Sequence, residues 1–120
     1  MKGIEAKSFD RPDEQRKFEG KGLADVVSVA GRPVARGTFE PGWRWSVNVK
    51  PIAGTESCEV SHLGYLVQGK MRVRMNDGTE KDLTPGHVVA IAPGHDAEVV
   101  GDENCVFLDF GEIAEYAKRH

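Results

Sequence analysis

Residues 56–69 read ESCEVSHLGYLVQG, and three of their side chains can bind a metal: Glu56, Cys58 and His62. All three positions have the same parity, and a β-strand sends alternate side chains to one face. A strand through this stretch would therefore direct the three side chains toward one point. The stretch predicts a metal site on the inner face of a β-structure.

A fourth candidate ligand, His95, follows the Pro93-Gly94 turn later in the chain. A carboxylate, a thiol and two imidazoles form a donor set for a divalent transition metal. The thiolate favours zinc, and iron is the second expectation. Each residue also has an ordinary alternative: Glu56 as a solvent-exposed charge, Cys58 as a small core side chain, and the histidines as hydrogen-bonded pocket or turn residues.

Short apolar runs, punctuated by 14 glycines and 6 prolines, are typical of a β-sandwich or small barrel. The strict alternation of MRVRM (71–75) predicts a strand with an inner and an outer face, and the following Asn76-Asp77-Gly78 predicts a hairpin turn. Without long crossover helices the strands should pair antiparallel, as in an all-β jelly-roll barrel. The predicted strands cover residues 23–30, 33–40, 45–50, 57–61, 65–68, 70–75, 79–83, 88–92, 97–100 and 105–110.

The length of 120 residues predicts one domain, with an N-terminal arm (1–20), a barrel (21–111) and a short C-terminal helix or tail (112–120). Within the arm, Asp13 to Phe18 is expected to be helical or irregular. The net charge of −3, with both signs interspersed, predicts no nucleic-acid partner. No apolar run is long enough for a membrane span, and we expect a cytoplasmic protein without a signal peptide or disulfide.

The spacing Glu56-x-Cys58-x3-His62-x6-Gly69 resembles the first motif of the cupin superfamily, G-x5-H-x-H-x(3,4)-E-x6-G. Every ligand type is exchanged, because Glu56 and Cys58 stand at the two histidine positions and His62 stands at the glutamate position. The resemblance therefore implies the barrel and the location of the site. It does not carry over the usual ligand set of three histidines and one glutamate.

The second cupin motif is similar to Gly86-x5-Ala92-x-Gly94, and its histidine position falls on Ala97. His95 lies two residues earlier with the same parity, so it is expected to reach the same interior. The segments PGWRWS (41–46) and PGHD (93–96) resemble a subgroup of small single-domain cupins. Some relatives of that subgroup are joined to signalling domains, which implies that a sensing role is an alternative to catalysis.

A small-molecule pocket is expected beside the metal. Trp43 and Trp45 lie two positions apart, so they would face the same side of a strand. The first interpretation is that they pack in the core or at the barrel rim, and the second is that one of them forms a pocket wall together with Tyr65. Gln68 is a candidate for a polar pocket contact. Asp109 is either an inward polar group or a strand-end residue, and nothing in its spacing assigns it a role.

Three functional readings remain open from the sequence. The chain is a metal-dependent enzyme of unknown reaction (a dioxygenase, isomerase or lyase), a non-catalytic module that binds or senses a ligand or metal, or a barrel with a structural metal. Each reading includes a small-molecule or metal ligand. The resemblance also implies a homodimer, in which the arm from Ile4 to Phe18 would cover a strand edge of the partner.

Overall fold

The computed structural model describes residues 1–119, and these residues form nine β-strands and two short helices. His120, part of the predicted C-terminal tail, lies outside the described residues. In chain order the elements are β1 (Glu14–Lys17), β2 (Gly22–Val29), β3 (Arg32–Phe39), α1 (Trp45–Asn48), α2 (Lys50–Ala53), β4 (His62–Gln68), β5 (Met71–Met75), β6 (Glu80–Leu83), β7 (Val88–Ile91), β8 (His95–Val99) and β9 (Cys105–Asp109).

The strands form two antiparallel sheets. One sheet has six strands in the order β1-β2-β3-β9-β4-β7, and the other has three in the order β6-β5-β8. The last strand, β9, lies between β3 and β4, so the chain rolls up with its end inserted beside its early strands. The buried apolar side chains come from both sheets and form one core cluster. The predicted all-β jelly-roll barrel is confirmed.

The alternation of apolar and charged residues along β5 explains which of its side chains face the core and which face outward. Met71 and Val73 are buried, whereas Arg74 points outward and pairs with Glu80 across the hairpin at 2.7 Å. The turn that joins β5 to β6 contains Gly78 with a φ of 92°, a left-handed conformation that glycine adopts without steric cost. The strand and turn predicted for residues 71–78 are both present.

Two predicted strands are wrong. Residues 45–50 instead contribute to α1 and α2, because the Arg44 N–H is bonded to the Asn48 side chain at 3.0 Å and Pro51 occupies the first turn of α2. Residues 57–61 are irregular, apart from a single bridge between Cys58 and His95. The parity argument for residues 56–62 therefore rested on a strand that does not form.

Both chain ends also differ from expectation. The arm contains β1, which pairs with this chain's own β2, and residues 114–117 form turns in place of the predicted helix. The buried Arg16 of β1 donates hydrogen bonds to the carbonyls of Ile113 and Tyr116 at 2.7 and 2.9 Å. One guanidinium thus fixes the C-terminal segment against the barrel. The expected homodimer stays a prediction.

Among residues 1–119, the helices are too short and too polar to cross a membrane.

Candidate metal centre

Three predicted ligands converge in the barrel: the ligand atoms of Cys58, His62 and His95 all lie within 4.8 Å of one another. Their residues are buried, with exposures of 2%, 8% and 3%. His62 begins β4, His95 begins β8, and the Cys58 N–H donates to the His95 carbonyl at 2.8 Å. A backbone bridge between a loop and a strand, rather than a common strand face, brings Cys58 to the histidines.

Each histidine has its Nδ1 atom engaged by the protein. His62 Nδ1 lies 2.5 Å from Asp109 Oδ2, and His95 Nδ1 donates to the Ala92 carbonyl at 2.8 Å. A hydrogen-bond partner at Nδ1 fixes the tautomer and orientation of a metal-binding imidazole. The Nε2 atoms are thereby left as the nitrogens that can bind a metal.

A close approach of two strands positions Asp109. Gly64 on β4 lies opposite Asp109 on β9. A Cβ at Gly64 would sit 2.1 Å from the Leu108 carbonyl oxygen and 2.5 Å from the Phe107 ring. Only glycine therefore allows β9 to lie this close to β4, and that contact brings the Asp109 carboxylate to His62.

The thiol and the imidazole of this group shift each other's ionisation. Burial alone raises the pKa of Cys58, but hydrogen bonds with His62 and His95 outweigh burial and lower the pKa to about 7. Burial lowers the pKa of His62, but Asp109 and then Cys58 outweigh it and raise the pKa to about 9. Cys58 Sγ and His62 Nε2 are 3.6 Å apart. Between about pH 7 and 9 the site therefore favours a thiolate beside an imidazolium.

A cavity of about 40 Å³ lies against the histidines. Trp43 and Trp45, each 2% exposed, contribute to its wall, as does Tyr116. The Tyr116 ring meets the His62 ring edge-on at 5.4 Å between centroids, and burial raises the pKa of its hydroxyl well above 10. The buried indole N–H of Trp43 has no hydrogen-bond partner in the described part of the chain.

Three predicted site residues lie elsewhere. The Glu56 side chain is 95% exposed and pairs with Lys50 at 3.0 Å, so its assignment as a ligand is corrected. Glu56 points to solvent because residues 57–61 do not form the strand that would have turned it inward. Tyr65 and Gln68 are exposed on the outer face of β4, so the structure does not bring them to the cavity.

Sequence reasoning left Asp109 undecided and missed Tyr116. The alternation of Cys105, Phe107 and Asp109 along β9 turns all three inward, and this pattern was a usable signal for Asp109. Tyr116 lies in a turn segment that Arg16 holds in place from a distant part of the sequence. No local pattern indicates that contact.

The donor set fits a divalent transition metal such as zinc. Sulfur and imidazole nitrogen are the ligand types that zinc and iron accept, and both histidines already have a hydrogen-bond partner at Nδ1. Among residues 1–119, three side chains make up the group rather than four. Three protein ligands are typical of catalytic or ligand-binding zinc sites, because they leave a coordination position open.

Comparison with known proteins identifies the fold. No protein-family model and no curated protein matches the chain. Among solved structures, the chain resembles a cupin-like protein from Thermotoga maritima, with 20% identity and a TM-score of 0.54 over 82% of this chain and 83% of that one. It also resembles a conserved protein with a double-stranded β-helix domain from Klebsiella pneumoniae, with 18% identity and a TM-score of 0.57 over 92% and 86%.

A third similar structure is a variant of oxalate decarboxylase from B. subtilis, with 17% identity and a TM-score of 0.60. The match covers 94% of this chain but 31% of that larger protein. The chain has the fold of a small cupin, a double-stranded β-helix, with a possible metal-binding group inside it.

Proposed function

We propose that this protein is a metal-binding small cupin in which Cys58, His62 and His95 hold one divalent transition metal beside a small-molecule cavity. The observation that supports it is the convergence of three buried donors, with both histidines held through Nδ1 by Asp109 and by a backbone carbonyl. Zinc is the expected metal and iron the second choice, because a thiolate is among the ligands.

The surrounding residues have separable roles. Asp109 orients His62 and stabilises its ring, and the Ala92 carbonyl does the same for His95. Tyr116 and the two tryptophans line a cavity whose wall is mostly apolar. A bound metal would supply Lewis acidity toward a substrate oxygen or lower the pKa of a bound water. The supported role is ligand binding at an open metal position, with catalysis or sensing as its two possible uses.

The experiment is metal analysis of the purified protein and two variants. We expect close to one zinc or iron per wild-type chain. His95→Ala should lose the metal because it removes a donor, whereas Glu56→Gln should keep it because Glu56 lies in solvent. Circular dichroism would confirm that each variant is folded. A wild-type protein that stays metal-free when zinc or ferrous iron is offered in excess would overturn the proposal.

A further inference from the structure

We infer that the open side of this site takes a small monofunctional ligand, with one metal-binding head group and a short apolar body, and discriminates against ligands that carry a second charged group. The inference rests on the proposed metal site and adds the chemical class of the molecule that the site accepts. It follows from three properties of the cavity: the distribution of polarity, the absence of lysine and arginine from the described residues of the wall, and the volume.

The polar groups of the cavity are gathered at one end. Asp109, His95 and Tyr116 all lie around His62: the carboxylate of Asp109 is 2.5 Å away, and the two ring centroids are 5.1 and 5.4 Å away. The rest of the wall is chiefly apolar, with its large side chains being Phe39, Trp43, Trp45, Met71, Leu83 and Phe107. A ligand with a polar head toward the histidines and an apolar body matches this distribution.

The wall offers no partner for a second anionic group. Among the described residues that line the cavity, none is lysine or arginine, and the acidic Asp109 is engaged by His62. Arg16, the buried cation that holds the Tyr116 segment, is committed to two carbonyls and to Glu14. A second carboxylate would be buried among aromatic rings without a counter-charge, which is strongly unfavourable.

The volume limits the length of the ligand. About 40 Å³ exceeds the space needed for one water molecule and is well below the roughly 150 Å³ cavity that holds benzene in an engineered core. The site therefore suits an aliphatic ligand of a few heavy atoms. An oxygen head group suits the open metal position, because carboxylate oxygen is a ligand that zinc accepts. A short-chain carboxylate meets both conditions.

The test compares propanoate with malonate, which have the same number of carbons and differ by one carboxylate. Cobalt(II) would replace the native metal in the purified protein, and each acid would be titrated while the visible absorption of the cobalt is followed. We expect propanoate to change the spectrum and to bind at least about tenfold more tightly than malonate, since tenfold corresponds to 1.4 kcal/mol. Equal or tighter binding of malonate, or no response to propanoate, would overturn the inference.

The size limit is tested with Met71→Ala and a matched control, Met75→Ala. Met71 is 6% exposed and lines the cavity, whereas Met75, at the other end of β5, does not. Shortening Met71 should shift the preferred acid from propanoate toward pentanoate, and the control should keep the wild-type preference. Leu83→Ala, which enlarges the same wall, replaces Met71→Ala if that variant fails to fold. An unchanged preference in the enlarged, folded variant would contradict the size argument.

The two proposals fail in different ways. A protein that takes up no cobalt, zinc or iron overturns the metal site, and the ligand class falls with it. A protein that binds cobalt through Cys58, as shown by a sulfur-to-cobalt charge-transfer band that Cys58→Ser removes, keeps the metal site. In that protein, binding of malonate in preference to propanoate overturns only the ligand class.

Discussion

The two cysteines of this chain are equally buried but have opposite surroundings. Cys58 and Cys105 are 2% and 0% exposed, and neither forms a disulfide. Cys105 begins β9, donates to the Lys70 carbonyl at 3.0 Å, and packs where a Cβ on Gly69 would come within 2.8 Å of its sulfur. Cys58 instead has the imidazole of His62 at 3.6 Å and His95 beside it.

The chemistry of the two thiols differs because their neighbours differ. Burial raises the pKa of Cys105 to about 11, whereas the two imidazoles bring the pKa of Cys58 down to about 7. The two pKa values differ by about 4, so at neutral pH Cys105 keeps its proton whereas a substantial fraction of Cys58 is thiolate. Burial by itself thus makes a cysteine inert, and hydrogen-bonding imidazoles favour the thiolate form that can bind a metal.

The largest expected effect comes from replacing each thiol in turn. Cys58→Ser should weaken zinc binding by at least about 100-fold, because it removes a donor from a three-ligand site. Cys105→Ser should leave zinc affinity within about threefold of wild type and lower the free energy of unfolding by about 1–3 kcal/mol, since a hydroxyl replaces a packed sulfur. Competition with a chromogenic chelator and urea unfolding measure the two quantities. Loss of zinc binding in both variants would contradict the prediction that only Cys58 takes part in zinc binding.

An intermediate effect is expected at the carboxylate behind His62. Asp109→Asn should weaken zinc binding about 10- to 100-fold, because His62 loses the carboxylate that orients its ring and makes Nε2 a stronger donor. Asp25→Asn is the matched control: Asp25 is 5% exposed and pairs with Arg36 at 3.0 Å, away from the metal group. The control should lower stability without changing zinc affinity. Equal affinity in the Asp109 variant and wild type, from the same chelator competition, would remove Asp109 from the site.

The smallest expected effect is a change with pH in the number of protons released when zinc binds. Between pH 7 and 9, Cys58 is mainly thiolate and His62 mainly imidazolium, so binding should displace about one proton from this pair. Below pH 7 the thiol is also protonated, and the count should rise to about two. The affinity should therefore increase with pH until about 9, where the pKa of His62 lies.

Calorimetry of zinc binding in buffers of different ionisation enthalpy gives this proton count. Cys105 keeps its proton throughout the range, because its pKa is about 11. The Cys105→Ser variant should therefore reproduce the wild-type profile. A profile that is flat between pH 6 and 9 would show that the Cys58–His62 pair does not ionise as its contacts indicate.

Local patterns predicted most of the strands, because alternation and turn chemistry act over a few residues. The hairpin at residues 71–83 and strand β9 were predicted within one residue of their observed bounds. The helices at residues 45–53 were missed, since they depend on the Asn48 side chain bonding to the Arg44 backbone. β1 was missed because its short charged segment becomes a strand only by pairing with β2.

The candidate site was likewise predicted in part from local patterns and decided in part by tertiary contacts. His62 and His95 were identified from their spacing, and they do converge with Cys58. Glu56 was added by a parity rule that applies only within a strand, and the irregular backbone at residues 57–61 turns it to solvent. Cys58 was chosen by the same rule, but a backbone bridge to His95 is what places it in the group.

The sequence by itself determined the antiparallel strands of the barrel and supplied four candidate ligands, Glu56, Cys58, His62 and His95, because side-chain alternation and residue chemistry are local properties. Only the tertiary structure decided that Glu56 is excluded, that Asp109 supports His62, and that Arg16 holds Tyr116 over the site. The contact between His62 and Asp109 joins residues 47 positions apart in the chain, and the contact between Arg16 and Tyr116 joins residues 100 positions apart. They exist only once both sheets have closed around the core, and no local pattern can specify them.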